Sequence, residues 1–117
     1  MNSLKTEYDA PFLKDTNLPT IISCAEYESG KAHVMARYPA LQQDKVTFFL
    51  EADGGVRYEK VSTVAPGGET KGEVGTNINT AQDWELVGKS VNAYFVVHRN
   101  SAPLGESRSF TFKVLAS

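Results

Sequence analysis

Two alternating runs near the C-terminus constrain the fold more than any other part of the chain. In Ser90–His98 (SVNAYFVVH) the residues Val91, Ala93, Phe95 and Val97 share one face. In Ser107–Leu115 (SRSFTFKVL) Phe110, Phe112 and Val114 do the same. A period of two marks half-buried strands, because side chains alternate across a pleated ribbon. Asn100-Ser101-Ala102-Pro103-Leu104-Gly105 between them supplies residues suited to reversing the chain. Two apolar ribbon faces cannot remain in water, so the rest of the chain must provide a second layer over them.

Upstream, the same period recurs in short pieces. Thr20–Ala25 is rich in β-branched residues and follows Pro19, which a strand tolerates at its start. Tyr27-Glu28-Ser29-Gly30 reads as a turn. Ala32, Val34, Ala36 and Tyr38 alternate with His33, Met35 and Arg37, and Pro39 stops the run. Lys45–Glu51 turns Val46, Phe48 and Leu50 to one side. Asp53-Gly54-Gly55 then signals a hairpin, since Asp-Gly readily takes positive φ, and the strand returns over Arg57–Val64. Val74, Thr76 and Ile78 alternate weakly within Gly72–Asn79. Thr80–Gly88 fits one helical turn holding Trp84 and Val87, with Gly88 closing it. The first 17 residues are polar, contain Pro11 and show no period, so they read as a flexible leader ahead of one domain spanning 18–117, against which Phe12 and Leu13 can tuck. The count is seven strands with turns between them, the pattern of an antiparallel two-sheet sandwich.

Composition bounds the partners. A net charge of −2 with scattered Lys and Arg lacks the basic stripe of a nucleic-acid binder. No apolar run approaches the roughly 20 residues of a membrane helix, and no apolar core follows Lys5 as in a secretory signal. A complete protein of this kind is expected in the cytoplasm. As a fragment of a larger chain it is expected at the cell surface or outside the cell. Cys24 is the single cysteine, which excludes an internal disulfide and a multi-cysteine zinc site.

Four segments resemble the immunoglobulin-like repeat domains of bacteria, often strung in tandem through large surface or secreted proteins. Ala32-x-Val34-x-Ala36-x-Tyr38-Pro39 followed by Asp44-x-Val46-x-Phe48 resembles the passage from strand B into strand C. Leu86-Val87-Gly88-Lys89-x-Val91-x-Ala93-x-Phe95-x-Val97 resembles the Gly-initiated F strand, with Trp84 where an apolar residue often precedes that Gly. Glu106-Ser107-x-Ser109-x-Thr111-x-Lys113-Val114 resembles the terminal strand. The likeness implies a Greek-key immunoglobulin-like sandwich working as a spacer, adhesion or docking module. The disulfide of the antibody domains is absent, and one copy stands where the family usually has several.

The residues offer little for chemistry. A hydrolase triad needs a nucleophile, a His base and a carboxylate orienter. His33 and His98 have no recognisable partners, and there is no G-x-S-x-G elbow. Glu51-Ala52-Asp53-Gly54-Gly55 begins like a calcium loop, but Glu59 falls on the returning strand and a plain hairpin explains the segment. No catalytic residue, metal ligand or cofactor is expected. An interaction patch is. On the outward face of the C–F–G sheet, Phe49, Tyr94 and Val96 would form a small apolar centre, with Thr111, Thr47, Asn92 and Lys113 around it. The alternative use of such a face is glycan binding through exposed aromatics, with Trp84, Tyr94, Tyr58 and Tyr27 as candidates. The opposing possibility is that a bulge turns Phe49 inward and dissolves the patch.

Overall fold

A computed structural model of the protein describes residues 6–65, 72–78 and 86–116. Within them lie ten strands and one short helix: β1 (Thr6–Tyr8), β2 (Phe12–Lys14), β3 (Ile21–Ile22), α1 (Cys24–Ser29), β4 (His33–Arg37), β5 (Lys45–Ala52), β6 (Val56–Thr63), β7 (Glu73–Asn77), β8 (Ser90–Arg99), β9 (Ala102–Ser107) and β10 (Phe110–Val114). They make an all-β, sandwich-like fold of two sheets. The larger is centred on β8, which pairs with β5 on one edge and with β9 and β10 in succession on the other. Beyond β5 comes β6; β1 adds in parallel to β9, and β3 in parallel to β10. The smaller sheet is β2-β4-β7, antiparallel throughout.

The alternation seen in the sequence fixes the inner layer. Val46, Phe48 and Leu50 of β5 and Val91, Ala93, Phe95 and Val97 of β8 are fully buried, with Phe112 and Val114 of β10 beside them. Val34 and Ala36 of β4 and Val74 and Thr76 of β7 close over them from the small sheet, together with Ile78 just beyond it. Phe110 is only half-buried, packed at the rim of this cluster rather than inside it. Gly75 pairs with Met35, and a Cβ there would press on the Met35 thioether and lie 3.2 Å from the Val34 carbonyl oxygen, so Met35 would have to shift.

Several elements differ from the sequence reading, each for a physical reason. Ten strands among the described residues replace seven, because β1 and β2 are too short to show a period and β9 is written in turn-forming residues. Residues 6–14, read as a loose leader, contain β1 and β2; β1 sends Tyr8 in to stack on Phe95 (centroids 6.0 Å apart), while Leu13 of β2 packs on the core. The first strand holds only Ile21 and Ile22, since a helix follows at once. Ser23 caps it by accepting from the Glu26 amide (3.1 Å) while Glu26 accepts from the Ser23 amide (2.9 Å). Gly30 ends it at φ +75°, so Tyr27–Ser29 are helical rather than a turn. The reversal after β8 is tighter than expected: Asn100 and Ser101 alone make it, and Pro103–Gly105 already belong to β9. The expected helical turn at Thr80–Gly88, and Trp84 within it, lie outside the described residues except for 86–88.

The edge of β8 facing β9 and β10 contains a break, and one side chain repairs it. The ladder pairs Val96 with Glu106 and Ala93 with Phe110, so Phe95 falls between the two partner strands. Its amide donates instead to the Ser107 hydroxyl (2.9 Å), which donates onward to the Arg108 carbonyl (2.9 Å). Ser107 is buried, and without this exchange a buried N–H would be left unpaired.

Candidate functional site

Phe49, Tyr94 and Val96 lie together on the outward face of the large sheet. The β5–β8 ladder runs without a bulge from Lys45↔His98 to Ala52↔Val91, which sets Phe49 directly opposite Tyr94 and Thr47 opposite Val96. Phe49 faces outward with Tyr94; their rings stack at 5.0 Å and 18°. All three patch residues are half-buried, as a sheet face flanked by long polar side chains requires. Thr111 lies one row away, opposite Asn92, and donates to the Asn92 side-chain oxygen (3.2 Å). It belongs to the rim rather than to the apolar centre.

Arg57 is the functional candidate that the sequence reading passed over. It sits on β6 opposite Glu51, places its guanidinium 4.4 Å from the Phe49 ring centroid and donates to the Tyr94 hydroxyl (3.1 Å). Its Nε lies 3.8 Å from Glu51. Phe49 is thus flanked by an aromatic ring and by a planar cation, an attraction between the cation and the negative face of the ring. Burial pushes the Tyr94 hydroxyl above its ordinary pKa, partly offset by Arg57. The hairpin signal at Gly54-Gly55 was sufficient to find Arg57, because the Ala52↔Val56 closing pair fixes every later partner in the ladder.

A second feature opens beside the patch on the same face. A groove of about 460 Å³ lies between the start of β5, Val61 of β6 and the β8–β9 turn. Thr47 borders both the groove and the patch. His98 faces this groove, at the sandwich end where strand alternation puts it. His33, also outward, donates from Nδ1 to the Lys31 carbonyl (2.8 Å) and lies 3.5 Å from Asp15.

Beneath the groove a charged cluster ties the chain together. Asp44 is almost completely buried and accepts hydrogen bonds from Arg99 Nε (2.8 Å), from Arg99 NH2 (2.9 Å), from the Tyr38 hydroxyl (2.9 Å) and from the Leu41 amide (3.0 Å). The Arg99 hydrogen bonds, first among these, hold its carboxyl down to about 2. Burial, and then the hydrogen bond to Asp44, push the Tyr38 hydroxyl well up. Both carboxylate oxygens of Asp44 and the Tyr38 hydroxyl have partners, so the cluster locks the 38–44 bend to the end of β8.

The remaining candidates separate by burial. Tyr27 is enclosed in the core and Tyr58 packs partly against it, so neither is an open aromatic platform. Trp84 lies outside the described residues. Asp53, at the start of the acidic-looking hairpin loop, accepts from the Ser90 amide (3.0 Å), which pins that loop to β8. Cys24 lies in the first turn of the helix and is half-buried. No group of three or more His, Cys, Asp or Glu side chains able to hold a metal ion occurs among the described residues, and no described helix is long and apolar enough to cross a membrane. No family model, curated protein or solved structure matches the chain, and its function is therefore read from its own residues.

Proposed function

We propose that the chain is a non-catalytic, immunoglobulin-like interaction module that docks a protein partner or a neighbouring domain on the outward face of β6-β5-β8. The observation that carries this is the Phe49–Tyr94 stack with Val96 beside it, an apolar centre inside a rim of both charges. Arg57, Glu51 and Glu59 stand along one side of it, and Glu106 opposite Val96 on the other. A buried aromatic centre with Arg at its border is the composition that protein interfaces favour.

The immunoglobulin-like assignment draws support from the pairing order. In this reading β2-β4-β7 would take the places of strands A, B and E, and β5-β8-β10 those of C, F and G. A parallel N-terminal strand beside the last strand fits the same plan. Protein is favoured over glycan as the partner because Tyr94 and Arg57 already flank the Phe49 ring, leaving less open ring surface for a sugar to lie on.

A photoreactive benzophenone side chain placed at Val96, and separately at the exposed Glu28 of α1, tests the reading in cells. The expected result is one discrete adduct from position 96, none from position 28, and loss of that adduct in folded Phe49→Ala and Tyr94→Ala variants. An adduct with the mass of two copies would make the partner this same chain. No adduct, or the same adduct from both positions, overturns the proposal.

A further inference from the structure

The groove beside the patch is bordered by backbone in an uncommon conformation. Among the described residues only four other than glycine have positive φ, and three of them line this groove: Gln43 (+71°), Asn100 (+54°) and Ser101 (+66°). Asn100 and Ser101 form a two-residue hairpin turn with positive φ at both positions, a conformation that glycine adopts without steric cost. Asn tolerates that conformation; Ser and Gln gain nothing from it. Both positions nevertheless keep hydrogen-bonding side chains at the rim of the groove. Backbone held in a disfavoured region around a cavity is an observation that points toward binding.

The lining defines the ligand. The sheet surface contributes Lys45 and His98, directly opposite each other, and Thr47 one step along β5. Val61, 54% exposed, adds a small apolar wall. Among the described residues of the lining Lys45 is the one fixed charge, and none is a carboxylate. The nearest buried acid, Asp44, is already taken by Arg99. No hydrogen bond or ion pair among the described residues occupies the side chains of Gln43, Lys45, His98, Asn100 or Ser101. One ammonium, with no second fixed cation among the described lining residues, matches a single negative charge better than a phosphate dianion. Two carboxamides and two hydroxyls supply paired donors and acceptors of the kind that read neighbouring hydroxyl groups. A cavity of about 460 Å³ is the size of a small-ligand site.

We propose that this groove binds a small polyhydroxylated carboxylate of the acidic-sugar class, its carboxylate on Lys45 and its hydroxyls on Gln43, Asn100 and Ser101. The groove shares the outward face with the patch, but neither proposal requires the other.

Titration of the isotopically labelled full chain, followed residue by residue by NMR, tests it with D-glucuronate and N-acetylneuraminate as probes and D-glucose and acetate as controls. Either acidic sugar is expected to produce saturable shifts centred on Gln43, Lys45, His98, Asn100 and Ser101. Glucose lacks the charge and acetate the hydroxyls, so both should bind at least about tenfold more weakly. Lys45→Gln, at an exposed position, should weaken binding by about tenfold or more. Ser101→Gly relieves the turn and keeps the fold, yet should weaken binding several-fold. Absence of saturable shifts with both acidic sugars, shifts centred elsewhere, equal binding of glucose or acetate, or full affinity in Lys45→Gln each overturns the proposal.

Discussion

Strands β5 and β8 present two faces built from alternate residues of the same sequence, and the two faces obey different rules. On the inner face Phe48, Leu50, Ala93 and Phe95 are fully buried, and each makes its contribution by filling space. On the outer face Phe49, Tyr94 and Val96 are half-buried, and what distinguishes them is what stands beside them: an Arg57 guanidinium, a mixed-charge rim and a polar groove. A one-residue step along either strand crosses from one regime to the other. Burial therefore separates residues that hold the fold from residues free to meet something else, even when both are aromatic.

Truncating the inner layer should give the largest effect. Phe112→Ala removes a ring that is 2% exposed and leaves a cavity, at a cost of about 3–5 kcal/mol in chemical denaturation. A loss below about 1 kcal/mol would place Phe112 outside the core and break the assignment of faces.

The Asp44–Arg99 pair sharpens the comparison by asking whether a charged group can serve the inner layer. Asp44→Ala should cost about 2–3 kcal/mol, since it removes charge-assisted hydrogen bonds and leaves Arg99 only partly solvated. The same pair makes stability depend on acid. Its carboxyl titrates at about 2 in the folded chain against an ordinary 3.8, so the contribution is complete above 3.8 and is lost as pH falls through about 2. Unfolding followed between those values should show that loss in the native chain and a flatter profile in Asp44→Asn.

The outer face should respond least. Tyr94→Ala gives up the ring stack and the Arg57 hydrogen bond, worth about 1 kcal/mol in stability, while abolishing the cross-linked adduct. A large stability loss with the adduct intact would return Tyr94 to the core.

The periodic parts of the molecule were legible because burial on one face writes itself into alternate residues. Val46, Phe48, Leu50, Val91, Ala93, Phe95 and Val97 were all readable this way, and so were Val74, Thr76 and Ile78 despite their weak pattern. The outward placement of Phe49 and Tyr94 followed from the same rule. The strands β1, β2 and β9 were not legible: two have three residues each, too few to show a period, and β9 carries Pro103 and Gly105, which read as turn residues. The helix at Cys24–Ser29 did leave a signal, Ser23-x-x-Glu26 followed by Gly30, which the β-branched residues before it masked. The Asp44–Arg99 contact and the groove join residues about half the chain apart, and no local pattern encodes such a meeting.

Phe48 and Phe49 are neighbours in one strand, identical in chemistry and opposite in facing, so a paired measurement of their alanine variants tests the division between the two faces most directly. Equilibrium unfolding of both should show Phe48→Ala losing about 3–5 kcal/mol. Phe49→Ala should lose about 1–2 kcal/mol, the worth of its ring stack and its contact with Arg57. Equal losses, or a larger loss at Phe49, would contradict the account.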